Sequence, residues 1–226
     1  MIEFRTGVIR PIECYKEGWE LIKDQYWLLL AVSFVGAIIG GASMYVLLGA
    51  MICGIYYCYF QKIDGGRVEF EGLFKGFNYF LPSLLVALII IVPMIFVIGL
   101  IYVPFIIAAV MGPKLSSDEL MALLGGVLAI EVVFAFVMVC IHTLLMFSFP
   151  LIVDRGLSAV EAIKTSSRAV LKNMGGVVGL MIVGFALSIL GYLALCIGLY
   201  FVIPVMFAGN VVAFRKVFPK ESSRGG

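Results

Sequence analysis

Four long stretches of this chain carry almost no charge. Residues 26–60, 80–111 and 174–214 contain no Asp, Glu, Lys or Arg, and residues 120–149 contain one acid, Glu131. The hydrocarbon core of a bilayer takes about 20 apolar residues per helix, so each run is long enough to reach across a membrane. Of the 226 residues, 63% are hydrophobic and 13% are charged, whereas a soluble domain carries about 25% charged residues. A soluble fold of this size has too little interior to hide so much apolar surface. The chain therefore reads as all-α, an integral membrane helical bundle. The formal net charge of +2 gives no electrostatic reason to expect nucleic acid as a partner.

The runs divide into spans by length. The 35 residues from Tyr26 to Phe60 exceed one crossing, and Gly40-Gly41 near the middle marks a break between spans at roughly 26–41 and 44–60. The run from Phe80 to Met111 forms a third span with Pro82, Pro93 and Pro104 as kink sites. After GPKLSSDE (112–119), Ser116 or Ser117 caps a fourth span, with Asp118 and Glu119 at its positive end. That span runs from about Leu120 to Phe149. The last run, 174–214, is a hairpin turning near Gly191. The count is six transmembrane helices, arranged as three hairpins.

Charge placement orients them. With both termini on one side, every Lys and Arg falls on that side except Lys114. By the positive-inside rule this places the N- and C-termini in the cytoplasm. The polar N-terminal segment reaches its first apolar run only near Tyr26, later than a secretory signal would, so a cleavable leader is not expected.

Each hairpin follows a short polar segment with helical periodicity. In PIECYKEGWELIKD the apolar residues Ile12, Tyr15, Trp19 and Ile22 share a face, and Pro11 suits a first turn. In RVEFEGLFKGFNYF the face is Phe70, Leu73 (or Phe74) and Phe77. In the segment after Ser158 it is Val160, Ile163, Ser167 and Val170 or Leu171, and Ser158 with Glu161 makes a capping box. These segments are too short and too charged to cross a bilayer, and they match interfacial amphipathic helices. The pattern predicts a single membrane domain over 1–226 built from repeat-like units of about 11–60, 67–150 and 157–215. A polar C-terminal tail at 216–226 completes it.

Candidate chemistry is sparse. Glu131 is the one carboxylate deep in an apolar run, where ionisable groups are costly and point to a path or site. His142 lies eleven residues on and on the same helical face, about 16 Å along the axis, too far for contact. The two mark either a polar track or a buried acid and a helix-end imidazole. Asn210 is a candidate interhelical hydrogen-bond group. Lys164, Arg168 and Lys172, spaced i, i+4, i+8, form a basic stripe that suits anionic lipid head groups or generic anchoring. The five cysteines (Cys14, Cys53, Cys58, Cys140, Cys196) lack metal-type spacing, one histidine cannot build a multi-His centre, and no HExxH, GxSxG or GK[ST] signature occurs. No cofactor, metal or catalytic residue is expected.

The run F-S-F-P-L-I-V-D-R-G-L-S-A-V-E-A-I-K-T-S-S-R-A-V-L-K-N, followed by G-L-Y-F-V-I-P, resembles a motif in a loose group of uncharacterised prokaryotic polytopic membrane proteins. It is similar to the membrane domain attached to some glycerophosphodiester phosphodiesterases. The likeness covers chiefly residues 147–215. It implies an architecture, a prokaryotic cytoplasmic (inner) membrane and a link to lipids. It implies no phosphodiesterase activity, since the chain has no room for that barrel of about 250 residues. The first functional expectation is a non-enzymatic multi-pass scaffold or accessory protein that organises membrane lipids or partner proteins. The alternative is a small transporter or channel with Glu131 in a polar path, and an intramembrane enzyme ranks third. A protein partner or homo-oligomer is left open.

Overall fold

The computed structural model describes residues 3–111, 116–194 and 197–220. Lys114, Cys196 and the last six residues, all named in sequence-based expectations, lie outside them. The elements are α1 (Pro11–Ile22), α2 (Tyr26–Ala42), α3 (Leu48–Ile63), a 3₁₀ helix (Phe70–Tyr79), α4 (Phe80–Met111), α5 (Ser117–Leu144), α6 (Ser148–Arg155), α7 (Ala159–Lys172), α8 (Met174–Leu193) and α9 (Gly198–Val217). The described residues contain no strand, so the all-α expectation holds. The chain forms two compact units, one from Met1–Val86 with Leu144–Gly226 and one from Ala87–Thr143.

Four helical stretches are long and apolar enough to cross a membrane: Phe70–Val110, Ser117–Arg155, Met174–Leu193 and Gly198–Val217. A fifth arises if α1 and α2, bent by 103°, count as one broken span. The first expected hairpin is the short one. α2 has 17 residues and α3 has 16, against about 20 for a full crossing. Ten of the 16 residues of α3 are buried, which makes it the central helix of the first unit.

The turns fall elsewhere than the glycines suggest. Gly40 and Gly41 stay inside α2, and the chain reverses at 43–47. There Met44 and Tyr45 take left-handed φ values of 51° and 67°, and Ser43 Oγ donates to Gly40 O and accepts from Leu47 N. Gly40 instead admits Leu48, since a Cβ there would lie 3.0 Å from its side chain. Gly191 likewise sits within α8, against the backbone of Gly198 at 3.0 Å from a built Cβ. Both glycines serve close packing rather than turning. α4 is one helix through Pro93 and Pro104, the expected kink sites. The C-terminal tail begins later than 216: α9 runs to Val217, and Val217 and Phe218 are fully buried.

The three short polar segments are helical, and each expected apolar face is divided between the protein and the exterior. In α1 the buried residues are Cys14, Gly18 and Ile22, while Ile12 and Trp19 are exposed. In the 3₁₀ helix they are Gly72, Leu73 and Gly76, while Phe74 and Phe77 stand out. In α7 they are Ala159, Ala162, Ser166, Ala169 and Val170, while Val160 and Leu171 are exposed. Each helix turns its small residues to the protein. The reason is the distance of approach. A Cβ on Gly18 would lie 2.8 Å from Gly209 N, one on Gly54 1.9 Å from Leu73 O, and one on Gly76 2.0 Å from Ala50 O. Backbones this close leave no room for bulk, as in small-residue packing of membrane helices.

The docking order is cyclic. The 3₁₀ helix packs on α3, α7 packs on α6, and α1 packs on α9. The 3₁₀ helix and α7 each thus lie on the helix that precedes them in sequence, and the first short helix closes onto the last helix. Polar ties follow the same order. Gln25, between α1 and α2, brackets Val68 by accepting from its N–H at 3.1 Å and donating to its carbonyl at 3.4 Å. Tyr79 donates to Val153 O at 3.4 Å. Asn173, between α7 and α8, accepts from Gly7 N at 2.7 Å and donates to Arg5 O at 3.1 Å. Ser166 repairs the break between α5 and α6, donating to Leu144 O and accepting from Phe147 N.

Candidate functional site

In the first unit, charges from distant parts of the sequence meet at the ends of α3, α6 and α9. Arg215 lies with Nη1 2.7 Å from Asp154 Oδ1 and Nη2 3.2 Å from Asp64 Oδ2. Its guanidinium also stacks over Phe60, 4.7 Å from the ring centre. Asp154 pairs with Arg155 Nε at 2.9 Å, and Lys220 reaches Asp64 at 3.0 Å. The Arg155 guanidinium donates to Pro219 O as well. The Nη1 approach to Asp154 is off the N–H axis, since that atom has no directed hydrogen bond, and acts as a charge contact. The Arg215, Asp154 and Arg155 side chains are only 12–13% exposed. Charges so shielded are tolerable only in mutual compensation.

Beside this network is an open pocket of about 480 Å³. Tyr57, Phe60, Gln61 and Asp64 of the α3 end, Gly66 and Arg67 of the following loop, Val153 and Asp154 of α6, and Lys220 line it. Gly65 and Gly156, at φ +87° and +62°, end α3 and α6 in the left-handed conformation that glycine adopts without strain. At the neighbouring elbow the hydrogen bond from Lys62 holds the Asp24 carboxyl below its ordinary range.

The sequence reading singled out none of Asp64, Asp154 and Arg215. A signal for two of them exists. DGGRVEFEG and DRGLSAVEA, beginning at Asp64 and Asp154, share Asp-x-Gly-x4-Glu. Each leads from the end of a helix, α3 or α6, into the next short helix. Arg215 has no counterpart in that pattern.

The expected candidates are scattered. Lys164, Arg168 and Lys172 are all exposed on the face of α7 opposite Ala162 and Ser166, with Lys172 Nζ 5.8 Å from the Phe4 ring. None of them lines the pocket. Asn210 donates to Tyr56 Oη at 2.8 Å and links α9 to α3, with its own Oδ1 buried and unpaired. Glu131 is half-buried and His142 exposed. Both belong to α5 and the second unit, and Glu131 has no hydrogen-bond or ion-pair partner among the described residues. The buried thiols Cys14, Cys53 and Cys58 are free, and no cluster of three metal-ligating side chains occurs among the described residues. No family model, curated protein or solved structure matches the chain.

Proposed function

We propose that this chain is a non-enzymatic integral membrane scaffold that organises lipid at the cytoplasmic face of a prokaryotic inner membrane. In this reading it crosses six times as three hairpins, with both termini cytoplasmic. The likeness to the membrane domain attached to some glycerophosphodiester phosphodiesterases extends to architecture and lipid association, without phosphodiester hydrolysis.

One observation carries the proposal. Each short helix packs on the protein through small residues together with one larger one (Ile22, Leu73 or Val170) and presents a pair of bulky apolar side chains outward: Ile12 and Trp19, Phe74 and Phe77, Val160 and Leu171. A soluble protein has no use for three such faces. At a bilayer boundary, apolar residues reach into the acyl region while Lys164, Arg168 and Lys172 meet head groups. At about 1 kcal/mol per basic residue near an anionic leaflet, the stripe attracts anionic lipid appreciably.

The test is charge reversal. The K164E/R168E/K172E variant, purified in parallel with the parent, should retain several-fold less anionic lipid by mass spectrometry. In a Trp27→Phe background, Trp19 should be quenched by lipids brominated high on the acyl chain. Unchanged lipid content together with an unquenched Trp19 would remove the proposal.

A further inference from the structure

We infer that the seam between α4 and α5 takes a transmembrane helix of another protein, one that carries a lysine or arginine near the middle of its apolar span. The geometry starts from α5. From Ser117 to His142 its half-covered residues fall on one line, which includes Leu123, Val127, Glu131, Phe134 and Met138, and the other residues are exposed. Steps of three and four are those of a helix-contacting stripe. Phe134 meets Phe96 of α4 at 6.0 Å, so the line faces α4. No residue from Ser117 to His142 is buried. α4 therefore covers the stripe only in part and leaves room beside it for a third helix.

Glu131 says what that helix must carry. It lies in the stripe between Val127 and Phe134, near the middle of α5 (Ser117–Leu144), about 20 Å from either end. It has no hydrogen-bond or ion-pair partner among the described residues. An ionisable group at that depth in a bilayer is costly and is normally met by an opposite charge. The chain cannot supply one. Its four long apolar runs hold no Lys or Arg, and His142 on the same helix is about 16 Å away along the axis. A second copy brings only another acid to that depth. A lipid amine stays at head-group level and does not reach it. A basic residue in the span of a different protein has the right charge at the right depth. The pairing is also selective, because a wholly apolar helix gains nothing from Glu131.

The experiment is energy transfer in phosphatidylcholine vesicles between the full chain, labelled at its C-terminus, and a labelled Leu-rich transmembrane peptide. The peptide carries either Arg or Leu at its central position. The Arg peptide should bind about tenfold more tightly than the Leu peptide. Glu131→Gln should bind both peptides equally and keep the parent Tm, because the carboxylate has no partner in the chain to lose. A large drop in its Tm would reveal such a partner and overturn the inference. Equal binding of the two peptides by the parent, or an Arg preference that survives Glu131→Gln, overturns it as well. So does transfer between two copies of the chain that is lost in Glu131→Gln, which assigns the seam to a homo-oligomer. The inference needs α5 to lie in the bilayer but does not need the lipid-scaffold role. The K164E/R168E/K172E variant should discriminate between the peptides like the parent, which keeps failure of one reading apart from failure of the other.

Discussion

Both units contain long apolar helices, and they behave differently. In the first, glycines are filled to contact: Gly18, Gly49, Gly54 and Gly76 each have backbone of another segment within 3 Å of where a Cβ would sit. In the second, Gly99, Gly125 and Gly126 have nothing within 4 Å. Among its described residues only Ala87, Ile91 and Thr143 are buried, and Phe96 meets Phe134 at 6.0 Å as a ring contact between α4 and α5. Hydrophobicity places a helix in lipid but does not pack it, because lipid tails are as apolar as leucine. What distinguishes the packed unit is small residues where backbones cross and polar groups that tie segments together.

That contrast can be broken most severely at its glycines. Gly76→Leu, whose Cβ would overlap Ala50 O, should destabilise by about 3 kcal/mol or more, seen as a large drop in Tm or loss of monodisperse protein. Gly125→Leu, facing open space, should stay within about 0.5 kcal/mol of the parent. Equal tolerance at both positions would show that close approach does not hold the first unit. The ion network is the next target. Arg215→Met leaves Asp154 facing Arg155 alone and Asp64 facing Lys220 alone, and should cost about 3 kcal/mol. Recovery in the further variant with Asp154→Asn would show that the uncompensated carboxylate is the cause. The finest probe is the Asn210–Tyr56 link. Tyr56→Phe should cost only about 0.6 kcal/mol, the average for polar pairs between membrane helices. A cost of several kcal/mol would mean that this pair, more than the glycines, holds α9 to α3.

Much of the fold is legible in the sequence, for physical reasons that can be named. Pro11 and the Ser158–Glu161 box mark helix starts because they deal with unpaired N–H groups locally. The box forms as expected, with Ser158 and Glu161 oxygens at 2.8 Å. Ser116 does the same for α5 through Glu119. The apolar runs give the long helices through length alone. The close-packing faces were not legible, because nothing in the sequence distinguishes Gly18 and Gly76, which point in, from glycines that merely loosen a helix, while Trp19 and Phe77 point out. The same ambiguity misplaced the turns, since Gly40 and Gly191 look like breakers and act as contact surfaces. The ion network was invisible for another reason. Asp64, Asp154 and Arg215 are joined only by tertiary packing, and nothing local to any of them announces the other two.

The cyclic docking order bears on how the molecule is made. α1 emerges early in synthesis but finds its seat on α9, whose Gly209 takes the Tyr15 ring that a Cβ there would meet at 2.7 Å. The Arg5 N–H likewise finds Val217 O at 2.9 Å only when the far end of α9 exists. In the lipid-scaffold reading proposed above, the exposed Trp19 and Ile12 side of α1 would meanwhile meet the membrane surface. The bilayer would act as a waiting room, keeping the first helix at the right depth and orientation while the middle of the chain is threaded. Closure would then be a lateral search in two dimensions instead of a recapture from solution.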